Sequence, residues 1–392
     1  MTLDEPLRDL ATTLAGPDGR SLAAGPGRWH VLFGSRPRPL LMPAEDYQLQ
    51  ERCLGYFVRG RLKSFYAKAL LRANALVPAA RLLPVFSLPR AGRDALDCPL
   101  PSGAPAHTAI QIGTAGPYQK ASMLLLSDAG EGLALAKMAM APSADGMVAV
   151  EAAWLKALEP VGALADQVPR LLGEGAAPNG RRYLVTSLAP STAATTSFTP
   201  AHAHFLRVLG GVRRERASFA MSPYYAHLTR SLGALEPVVA PEIAATLWAS
   251  LRDCRAALAG WAGPFVIAQG DFAPWNIRID ATRVFVFDWE YARAGANALG
   301  DVLNFFMIPR ALSRRPAGSR SVAAVLKRAE GIARELHPER RWKPRVVSAL
   351  ALAYLIEVLL CYSRASGRLD LRHPVMRHYW RLVQARERWM AA

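Results

Sequence analysis

Between residues 107 and 190, short apolar runs alternate with glycine-containing turns. The segment AIQIGTAGPYQKASMLLL holds two such runs on either side of the Gly113–Gly116 turn, and LALAKMAM follows a second turn at Asp128–Gly132. Apolar runs of about four to eight residues bounded by turn signals are typical of strands. Two more runs, Val168–Gly175 and Arg182–Leu188, continue the pattern. The sequence therefore predicts a small strand-rich region here.

From residue 198 onward, the apolar positions recur at helical spacing. Pro200 follows Ser197 and Thr199, and either of these can cap a helix that begins at the proline. Proline suits the first turn of a helix, where its missing N–H is not needed. A second long helix is predicted over Pro241–Trp261. This half of the chain is therefore expected to be helical.

Two C-terminal segments require a choice between a buried or solvated helix and a functional surface. Val346–Tyr362 is strongly apolar but contains Glu357, and it falls short of the roughly 18 uncharged apolar residues of a membrane span. We interpret it as a buried helix. Pro374–Trp389 carries arginines that could line a groove for an acidic substrate, but we interpret them as a solvated face. These arginines are Arg377, Arg381 and Arg388.

The first 106 residues differ in character from the rest. WHVLF (Trp29–Phe33) predicts a short strand, and Ala44–Val58 predicts a helix. Arg61–Phe86 is basic with apolar residues near helical spacing, which is typical of a membrane-surface or partner-binding helix. The interpretation we favour is a helix packed on the protein core with its basic face in water. Ser87–Pro105 is rich in Pro and Gly and predicts a linker.

Composition narrows the functional classes. Of the 392 residues, 51% are hydrophobic and 20% charged, as in a folded soluble protein. Four widely spaced cysteines form no CxxC pair and indicate reduced thiols in a cytoplasmic protein. The acidic N-terminal segment does not resemble a signal peptide. A net charge of +17 favours anionic partners; nucleic acid is not favoured, because no recognition motif accompanies the charge.

The stretch Ala268–Glu290, AQGDFAPWNIRIDATRVFVFDWE, combines oxygen-bearing side chains with a strand-like run. Asn276 follows Asp271 by five residues, and Asp288 ends the apolar run twelve residues beyond Asn276. A loop that ends in Asn and feeds a hairpin ending in Asp can place three oxygen ligands in one small volume. Mg²⁺ takes oxygen ligands and usually keeps substrate phosphates as partners. The alternative is an ordinary hairpin whose Asp and Asn form turns.

At these residues the chain resembles the aminoglycoside phosphotransferase and choline-kinase-like family. QGDFAPWNI is similar to the family's catalytic loop, usually His-Gly-Asp-x-x-x-x-Asn, and VFVFDWEYA is similar to its metal-binding segment. The resemblance implies an α+β, two-lobed protein-kinase-like fold with an antiparallel-sheet N-lobe over 107–190 and a helical C-lobe over 191–392. Residues 1–106 form an extra N-terminal region whose role the resemblance does not supply.

The resemblance also implies a reaction, the transfer of the γ-phosphoryl group of ATP to a hydroxyl group. Asp271 would orient that hydroxyl group and accept its proton, while Asn276 and Asp288 would hold Mg²⁺. In GANALGDVLNFFM, Asp301 would brace the catalytic loop, and the alternative for Asp301 is a plain helix cap. Gln269 stands where the family usually has His. Because a Gln side chain can both donate and accept hydrogen bonds, we expect it to support the loop and the site to work.

Residues of the strand-rich region are assigned to nucleotide binding. Lys137 lies in an apolar strand, where a lone charge is costly unless it is paired. The resemblance pairs it with Glu151, near the start of the predicted helix Val148–Leu158, so that Lys137 holds the α- and β-phosphates of ATP. The alternative for Glu151 is a surface charge.

Two further segments complete the expected ATP site. Gly113 and Gly116 allow the backbone to approach phosphates closely, although hairpins also use glycine routinely. By resemblance, the strand end and junction from Thr186 to Ala189 contact the adenine through their backbone. The sequence alone indicates only a strand end there.

The acceptor is the least constrained part of the prediction. The C-terminal third is Arg-rich, which favours a neutral or anionic sugar or glycan-related acceptor over a polycationic aminoglycoside. The chain resembles phosphotransferase-family members of surface-polysaccharide biosynthesis. The alternative function is a non-catalytic, nucleotide-binding pseudokinase scaffold, which the basic N-terminal helix would dock to a membrane-associated biosynthetic complex. In either case we expect a cytoplasmic location, with any membrane contact peripheral and at the inner face.

Overall fold

Two units make up the computed structural model of the chain: residues 1–157 with 169–192, and residues 158–168 with 193–392. The structure describes residues 10, 26–33, 38–44, 46–58, 61–76, 83, 85–89, 106–177, 179–190, 193–280, 282–313 and 319–390. The acidic N-terminal segment, apart from Leu10, and most of the predicted linker Ser87–Pro105 lie outside these residues. The boundaries expected after residues 106 and 190 remain predictions.

The first unit contains one eight-stranded sheet. Its strands are β1 (Pro26–Leu32), β2 (Leu40–Pro43), β3 (Val85–Pro89), β4 (His107–Ile112), β5 (Lys120–Leu126), β6 (Gly132–Ala139), β7 (Leu171–Ala176) and β8 (Arg182–Thr186). Their order across the sheet is β3-β1-β2-β4-β5-β6-β8-β7, and neighbouring strands are antiparallel. The strand-rich prediction for residues 107–190 is confirmed, with the last two strands shorter than predicted.

Alternation along β5 shows why this sheet is buried on both faces. Met123 and Leu125 pack into one hydrophobic cluster, and Leu124 and Leu126 pack into another on the opposite face. Successive side chains of a strand point to opposite faces, so a continuous apolar run needs a cover on each side.

The first hundred residues supply part of that cover. Helices α1 (Tyr47–Phe57) and α2 (Arg61–Leu76) bury Leu54, Ala67 and Leu71 in the same cluster as Leu124 and Leu126. The helix predicted over Arg61–Phe86 is therefore too long, because Phe86 lies in β3. These residues share one sheet and one core with the strands that follow them.

Helix α3 (Pro142–Leu158) begins earlier than predicted. Pro142 suits a first helical turn, and Ala144, Val148 and Ala152 pack against Leu184 of β8. The expectation that Glu151 lies near the helix start is wrong, since it lies in the middle of the helix and is 1% exposed. A buried carboxylate at this place requires a partner.

The second unit is mainly helical, as predicted from residue 198 onward. Its helices are α4 (Pro200–Val212), α5 (Pro223–Leu235), α6 (Pro241–Ala257), α7 (Gly300–Leu312), α8 (Ser319–Leu336), α9 (Pro344–Ser366), α10 (Pro374–Gln384) and α11 (Arg386–Met390). Thr199 is the cap of α4 in a capping box with His202, which confirms the predicted helix start.

Helix α9 contains Pro344–Arg364, the one described helical segment that is long and apolar enough to cross a membrane by length and composition. In the structure 78% of the most apolar 18-residue window of this segment is buried. Buried Leu, Ile and Ala side chains cover most of its circumference, among them Leu352, Leu355 and Ile356. This confirms the predicted buried helix. Arg377, Arg381 and Arg388 are exposed, in agreement with a solvated face.

Short strands lie among these helices. A three-stranded sheet has the order β13-β10-β9, from β13 (Arg293–Asn297), β10 (Phe265–Ala268) and β9 (Arg214–Glu215), and β11 (Ile277–Asp280) pairs with β12 (Arg283–Val286) in a separate hairpin. The loop that joins β10 to β11 contains the predicted catalytic residues, and the segment that follows β12 contains Asp288.

Candidate active site

Strand β10 leads into a loop that begins at Gln269, and the side chain of Asp301 holds the start of this loop in place. Asp301, in the first turn of α7, accepts hydrogen bonds from the backbone N–H of Gln269 (2.8 Å) and of Gly270 (2.9 Å), each on a different carboxylate oxygen. A buried carboxylate that accepts two backbone N–H groups fixes the path of the loop. The predicted bracing role of Asp301 is therefore confirmed.

Gly270 is the residue whose backbone makes the sharp turn into the loop possible. Its φ is +86°, and an added Cβ would lie 2.3 Å from the carbonyl oxygen of Tyr291. A side chain would therefore meet both backbone strain and a clash. The close approach brings the Tyr291 backbone against the start of this loop.

Gln269 holds the two loops of the site together. Its side-chain N–H groups donate to the carbonyl oxygens of Phe287 (3.1 Å) and Asp288 (2.5 Å), and its Oε1 accepts from the backbone N–H of Asp271 (2.9 Å). The side chain is fully buried. The side-chain amide of Gln269 thus uses both its donors and its acceptor. Although the family usually has His here, Gln269 makes the supporting contacts expected of this position.

Asn276 and Asp288 meet through the register of the β11–β12 hairpin. Ile277 pairs with Val286, and the N–H of Phe287 donates to the carbonyl oxygen of Asn276 (3.1 Å). The next residue, Asp288, has φ +70°, an uncommon conformation for a residue with a side chain and one found at functional sites. The hairpin therefore brings the two predicted metal ligands together.

Asp271 is fixed by amide groups on both of its carboxylate oxygens. The Asn276 side chain donates to Oδ2 at 2.8 Å and to the Asp271 carbonyl oxygen at 3.0 Å. The side chain of Asn304 donates to Oδ1 at 3.2 Å. Burial, and after it the nearby charge of Asp288, raise the pKa of Asp271 to about 7. Burial likewise raises the pKa of Asp301 to about 6.

These residues suit a hard cation. The hydrogen bonds of Asn276 use its amide nitrogen, so its carbonyl oxygen is the atom that would coordinate. Asp288 adds a carboxylate, and its charge next to Asp271 is the repulsion that a divalent cation relieves. The donor set therefore fits Mg²⁺ at Asn276 and Asp288.

The first unit contains the residues predicted to bind nucleotide. Lys137, on β6, donates to both carboxylate oxygens of Glu151 at 2.7 and 2.8 Å. Their side chains are 10% and 2% exposed. A pair this buried holds the lysine side chain in one place, because separating the partners would leave an uncompensated buried charge. The structure therefore has the predicted pairing, and the interpretation of Glu151 as a surface charge is wrong.

The Gly113–Gly116 turn joins β4 to β5. The N–H of Gly113 donates to the carbonyl oxygen of Lys120 at 2.7 Å, and a Cβ on Gly113 would lie 2.7 Å from that oxygen. Gly116 has φ +148° and open space around it. Gly113 is therefore required for the hairpin itself, whereas Gly116 leaves room for a ligand at the tip. Phosphate contact by either glycine remains a prediction.

The predicted adenine contact lies directly after β8. Thr186 is the last residue of that strand, is buried, and donates through its hydroxyl to the carbonyl oxygen of Leu135 at 3.3 Å. Ala189 follows without regular structure and is half-buried. The structure thus places both residues at a strand end, and their contact with adenine remains a prediction.

Asn304 is the site residue that the sequence interpretation missed. It contacts Asp271 directly, as the two predicted loops do. A signal was available, because Asn304 follows Asp301 by three residues and therefore lies on the same helix face. The helical spacing from Asp301 therefore indicated Asn304 as a further site residue.

Comparison with known proteins adds a family and a fold. The profile of the phosphotransferase enzyme family matches residues 139–331. No curated protein sequence matches the chain significantly. A thermostable mutant of aminoglycoside phosphotransferase APH(4)-Ia, in ternary complex with AMP-PNP and hygromycin B, is 16% identical, with TM-score 0.50, over 74% of this chain and 97% of that one.

Two other solved structures are similar at lower scores. Choline kinase from Cryptosporidium parvum Iowa II is 10% identical, with TM-score 0.48, over 72% of this chain and 90% of that one. Amicoumacin kinase hAmiN, in complex with AMP-PNP, Ca²⁺ and Ami, is 10% identical, with TM-score 0.47, over 82% and 95%. The APH(4)-Ia structure confirms the α+β kinase-like fold with an antiparallel-sheet N-terminal region and a helical C-terminal region.

Proposed function

Residues 139–331 belong to the phosphotransferase enzyme family, and from this premise we propose that the chain transfers the γ-phosphoryl group of ATP to a hydroxyl group of a sugar or glycan-related acceptor. The family match confirms the resemblance and the enzyme class, a small-molecule phosphotransferase. The observation that carries the proposal is the geometry around Asp271. Its carboxylate is fixed by two amide side chains beside a second carboxylate, Asp288.

In the proposed reaction the acceptor oxygen attacks the γ-phosphorus. The bond between that phosphorus and the β–γ bridging oxygen breaks, ADP leaves, and the hydroxyl proton passes to Asp271. A loose transition state needs little base strength, so positioning of the hydroxyl group is the main contribution of Asp271.

In the proposal, the metal ion and the nucleotide are bound by different residues. Mg²⁺, held by Asn276 and Asp288, supplies neutralisation of the phosphate charge when it is bound. Lys137, positioned by Glu151, grips the α- and β-phosphates. The Gly113–Gly116 turn and the Thr186–Ala189 segment bind the remainder of the nucleotide. Asp301 and Gln269 hold the catalytic loop in place.

A sugar acceptor is supported by the side chains around Asp271. Tyr362 is half-buried, and burial and then the charge of Asp271 raise its pKa. Tyr291 is 38% exposed, and burial of its hydroxyl group, followed by the charges of Cys361 and Asp271, raises its pKa. Aromatic rings with a polar tip pack on the apolar faces of ligands and hydrogen-bond their hydroxyl groups. The basic C-terminal helices are unfavourable for a polycationic acceptor.

The test is ADP release with Mg·ATP over a panel of neutral sugars, anionic sugars, amino alcohols and aminoglycosides. We expect turnover with a sugar, loss of turnover in Asp271→Ala, and no preference for the aminoglycosides. Absence of turnover across the panel, combined with a rise of the melting temperature on addition of ATP, would overturn the enzyme in favour of a nucleotide-binding scaffold.

We further propose that α2 makes a peripheral contact with an anionic membrane surface at the inner face. The helix packs inward through Ala67 and Leu71, yet Phe65, Tyr66 and Leu70 are 66%, 63% and 39% exposed. Exposed basic residues, Lys63, Lys68 and Arg72, accompany them. Exposed aromatic side chains beside basic residues match the chemistry of an anionic lipid surface.

Flotation with phosphatidylcholine vesicles, with and without phosphatidylglycerol, tests this contact. We expect binding that needs the anionic lipid and is lost in Phe65→Ser/Tyr66→Ser. Met221, which is 82% exposed in the second unit, provides the matched control Met221→Ser, with binding retained. Equal binding by all three proteins, or none by the wild type, would contradict the proposed surface.

A further inference from the structure

Asp271 stands at the end of a buried hydrogen-bond chain that begins in the C-terminal helices. The hydroxyl groups of Tyr354, on α9, and Tyr379, on α10, lie 3.2 Å apart. Tyr354 donates to Oδ1 of Asn304 at 2.8 Å. Asn304, on α7, donates through Nδ2 to Oδ1 of Asp271. Three separate helices thus converge on one catalytic carboxylate.

The members of the chain are almost completely shielded from water. Tyr379 is 0%, Tyr354 4% and Asn304 4% exposed. Buried polar groups in a low-dielectric interior are costly unless each is satisfied, and satisfied chains polarise one another. Such groups are expensive to keep for packing alone, since apolar residues of similar shape would fill the same space.

The direction of the chain follows from the number of protons. Tyr354 has one hydroxyl proton, and this proton is used on Asn304. The Tyr354 oxygen must therefore accept from Tyr379. At Asn304, the Tyr354 donor selects the carbonyl end of the amide, so the N–H end faces Asp271. An Asn304 amide flipped by 180° would place a carbonyl oxygen against the carboxylate, which is repulsive.

We propose that Asn304 is a positioning residue for phosphoryl transfer, and that Tyr354, supported by Tyr379, sets the orientation of its amide. The inference rests on the proposed function. Asn276 and Asn304 hold opposite oxygens of Asp271, so rotation of the carboxylate would break both hydrogen bonds. With Asn304 in place, the oxygen that receives the acceptor proton keeps one direction.

The size of the effect follows from how positioning acts. A misplacement of about 1 Å lowers a rate on the order of 100-fold, and Asn304→Ala should approach this loss in kcat. Tyr354→Phe removes the hydrogen bond to Asn304 together with the one to Tyr379. Because only the bond to Asn304 bears on Asp271, kcat should fall roughly 3–10-fold. The KM for ATP should stay the same in both variants, because neither residue belongs to the proposed nucleotide site.

The experiment is a double-mutant cycle of Asn304→Ala and Tyr354→Phe, with kcat and the KM for ATP measured for each protein. We expect the double variant to be no slower than Asn304→Ala, because the Tyr354 hydroxyl acts only through the amide that is already lost. Tyr225→Phe, on α5 and outside the chain, is the matched control with unchanged kcat. The inference would be overturned if the loss of kcat in the double variant equalled the product of the losses in the two single variants. It would also be overturned if kcat were unchanged in Asn304→Ala.

The same proteins separate failure of this inference from failure of the proposed function. If the wild type itself turns over no acceptor, the function fails, and urea unfolding of the four proteins tests the chain without substrate. The chain predicts that Tyr354→Phe lowers the urea midpoint more in the wild-type background than in Asn304→Ala, where the Tyr354 hydroxyl has already lost its acceptor. Equal shifts in the two backgrounds would refute the chain.

Discussion

Lys137 and Asp271 are ionisable groups that the fold holds in two different ways, with Lys137 buried and Asp271 half-buried. Lys137 meets both oxygens of an opposite charge, Glu151, inside the sheet of the first unit. Asp271, in the second unit, is held by the neutral amides of Asn276 and Asn304 and lies near another negative charge, Asp288. The first arrangement satisfies the charge that it positions. The second leaves a carboxylate whose pKa is raised.

In the proposed function, this difference separates nucleotide binding by Lys137 from phosphoryl transfer at Asp271. A buried ion pair is satisfied without a ligand as long as both partners are present. Loss of either partner leaves an uncompensated buried charge. A carboxylate beside another carboxylate is a local cost to the fold, of the kind that proteins keep at functional sites. We therefore expect substitutions at Lys137 to damage stability and nucleotide binding, and substitutions around Asp271 to damage the reaction.

The largest expected effect is a loss of stability when Lys137 is replaced. Lys137→Met leaves the buried Glu151 carboxylate without its partner and should lower the free energy of unfolding by about 3–5 kcal/mol, measured by urea denaturation. Lys137→Met/Glu151→Leu should recover most of this stability but not the affinity for Mg·ATP. Lys156→Met removes the exposed pair with Glu174, whose side chains are 56% and 40% exposed, and should cost at most about 1 kcal/mol. Equal losses in the two single variants would remove the distinction.

The next effect concerns the metal. Asp288→Asn keeps the shape of the side chain but removes a charged ligand. We expect the Mg²⁺ concentration needed for half-maximal ATP binding, measured by calorimetry, to rise by more than the roughly 10–100-fold typical of losing an outer-shell partner. Asp280→Asn, on the exposed end of the same hairpin, serves as the control. Unchanged Mg²⁺ dependence in Asp288→Asn would mean that the metal binds elsewhere.

The last effect in this series concerns Gln269. Gln269→Glu keeps the length but removes the donors to Phe287 and Asp288. Each buried carbonyl oxygen left without its donor costs about 1–3 kcal/mol, so both the melting temperature and kcat should fall. Gln269→His restores a donor and should keep kcat within about tenfold of the wild type. A fully active and stable Gln269→Glu would show that this residue does not hold the loops together.

Much of the site could be predicted because its residues lie close in sequence or follow a local rule. Asp271, Asn276 and Asp288 fall within one loop and hairpin, where spacing and register determine proximity. Lys137 in an apolar strand required a buried partner, and Glu151 is that partner. Pro200 after Thr199 marked a helix start correctly because capping is local.

The rest depended on contacts between distant parts of the chain. The hydrogen-bond chain to Asp271 joins Asn304, Tyr354 and Tyr379, which lie on three helices with no common sequence pattern. Periodicity along α2 indicated an amphipathic helix but not which face is buried, and Phe65 and Tyr66 face outward. Strands β1–β3 could be placed in the main sheet only from their pairing with one another and with β4.

The separation of binding from chemistry is tested most directly by Asp271→Asn. Its affinity for Mg·ATP and its single-turnover rate of phosphoryl transfer to the preferred acceptor are to be measured on one preparation beside the wild type. The account predicts a dissociation constant within about threefold of the wild type, a difference below 1 kcal/mol. It also predicts a transfer rate lower by at least about a hundredfold, the lower end of the range for loss of a general base. A rate close to that of the wild type would contradict the role of Asp271 and with it the proposed reaction.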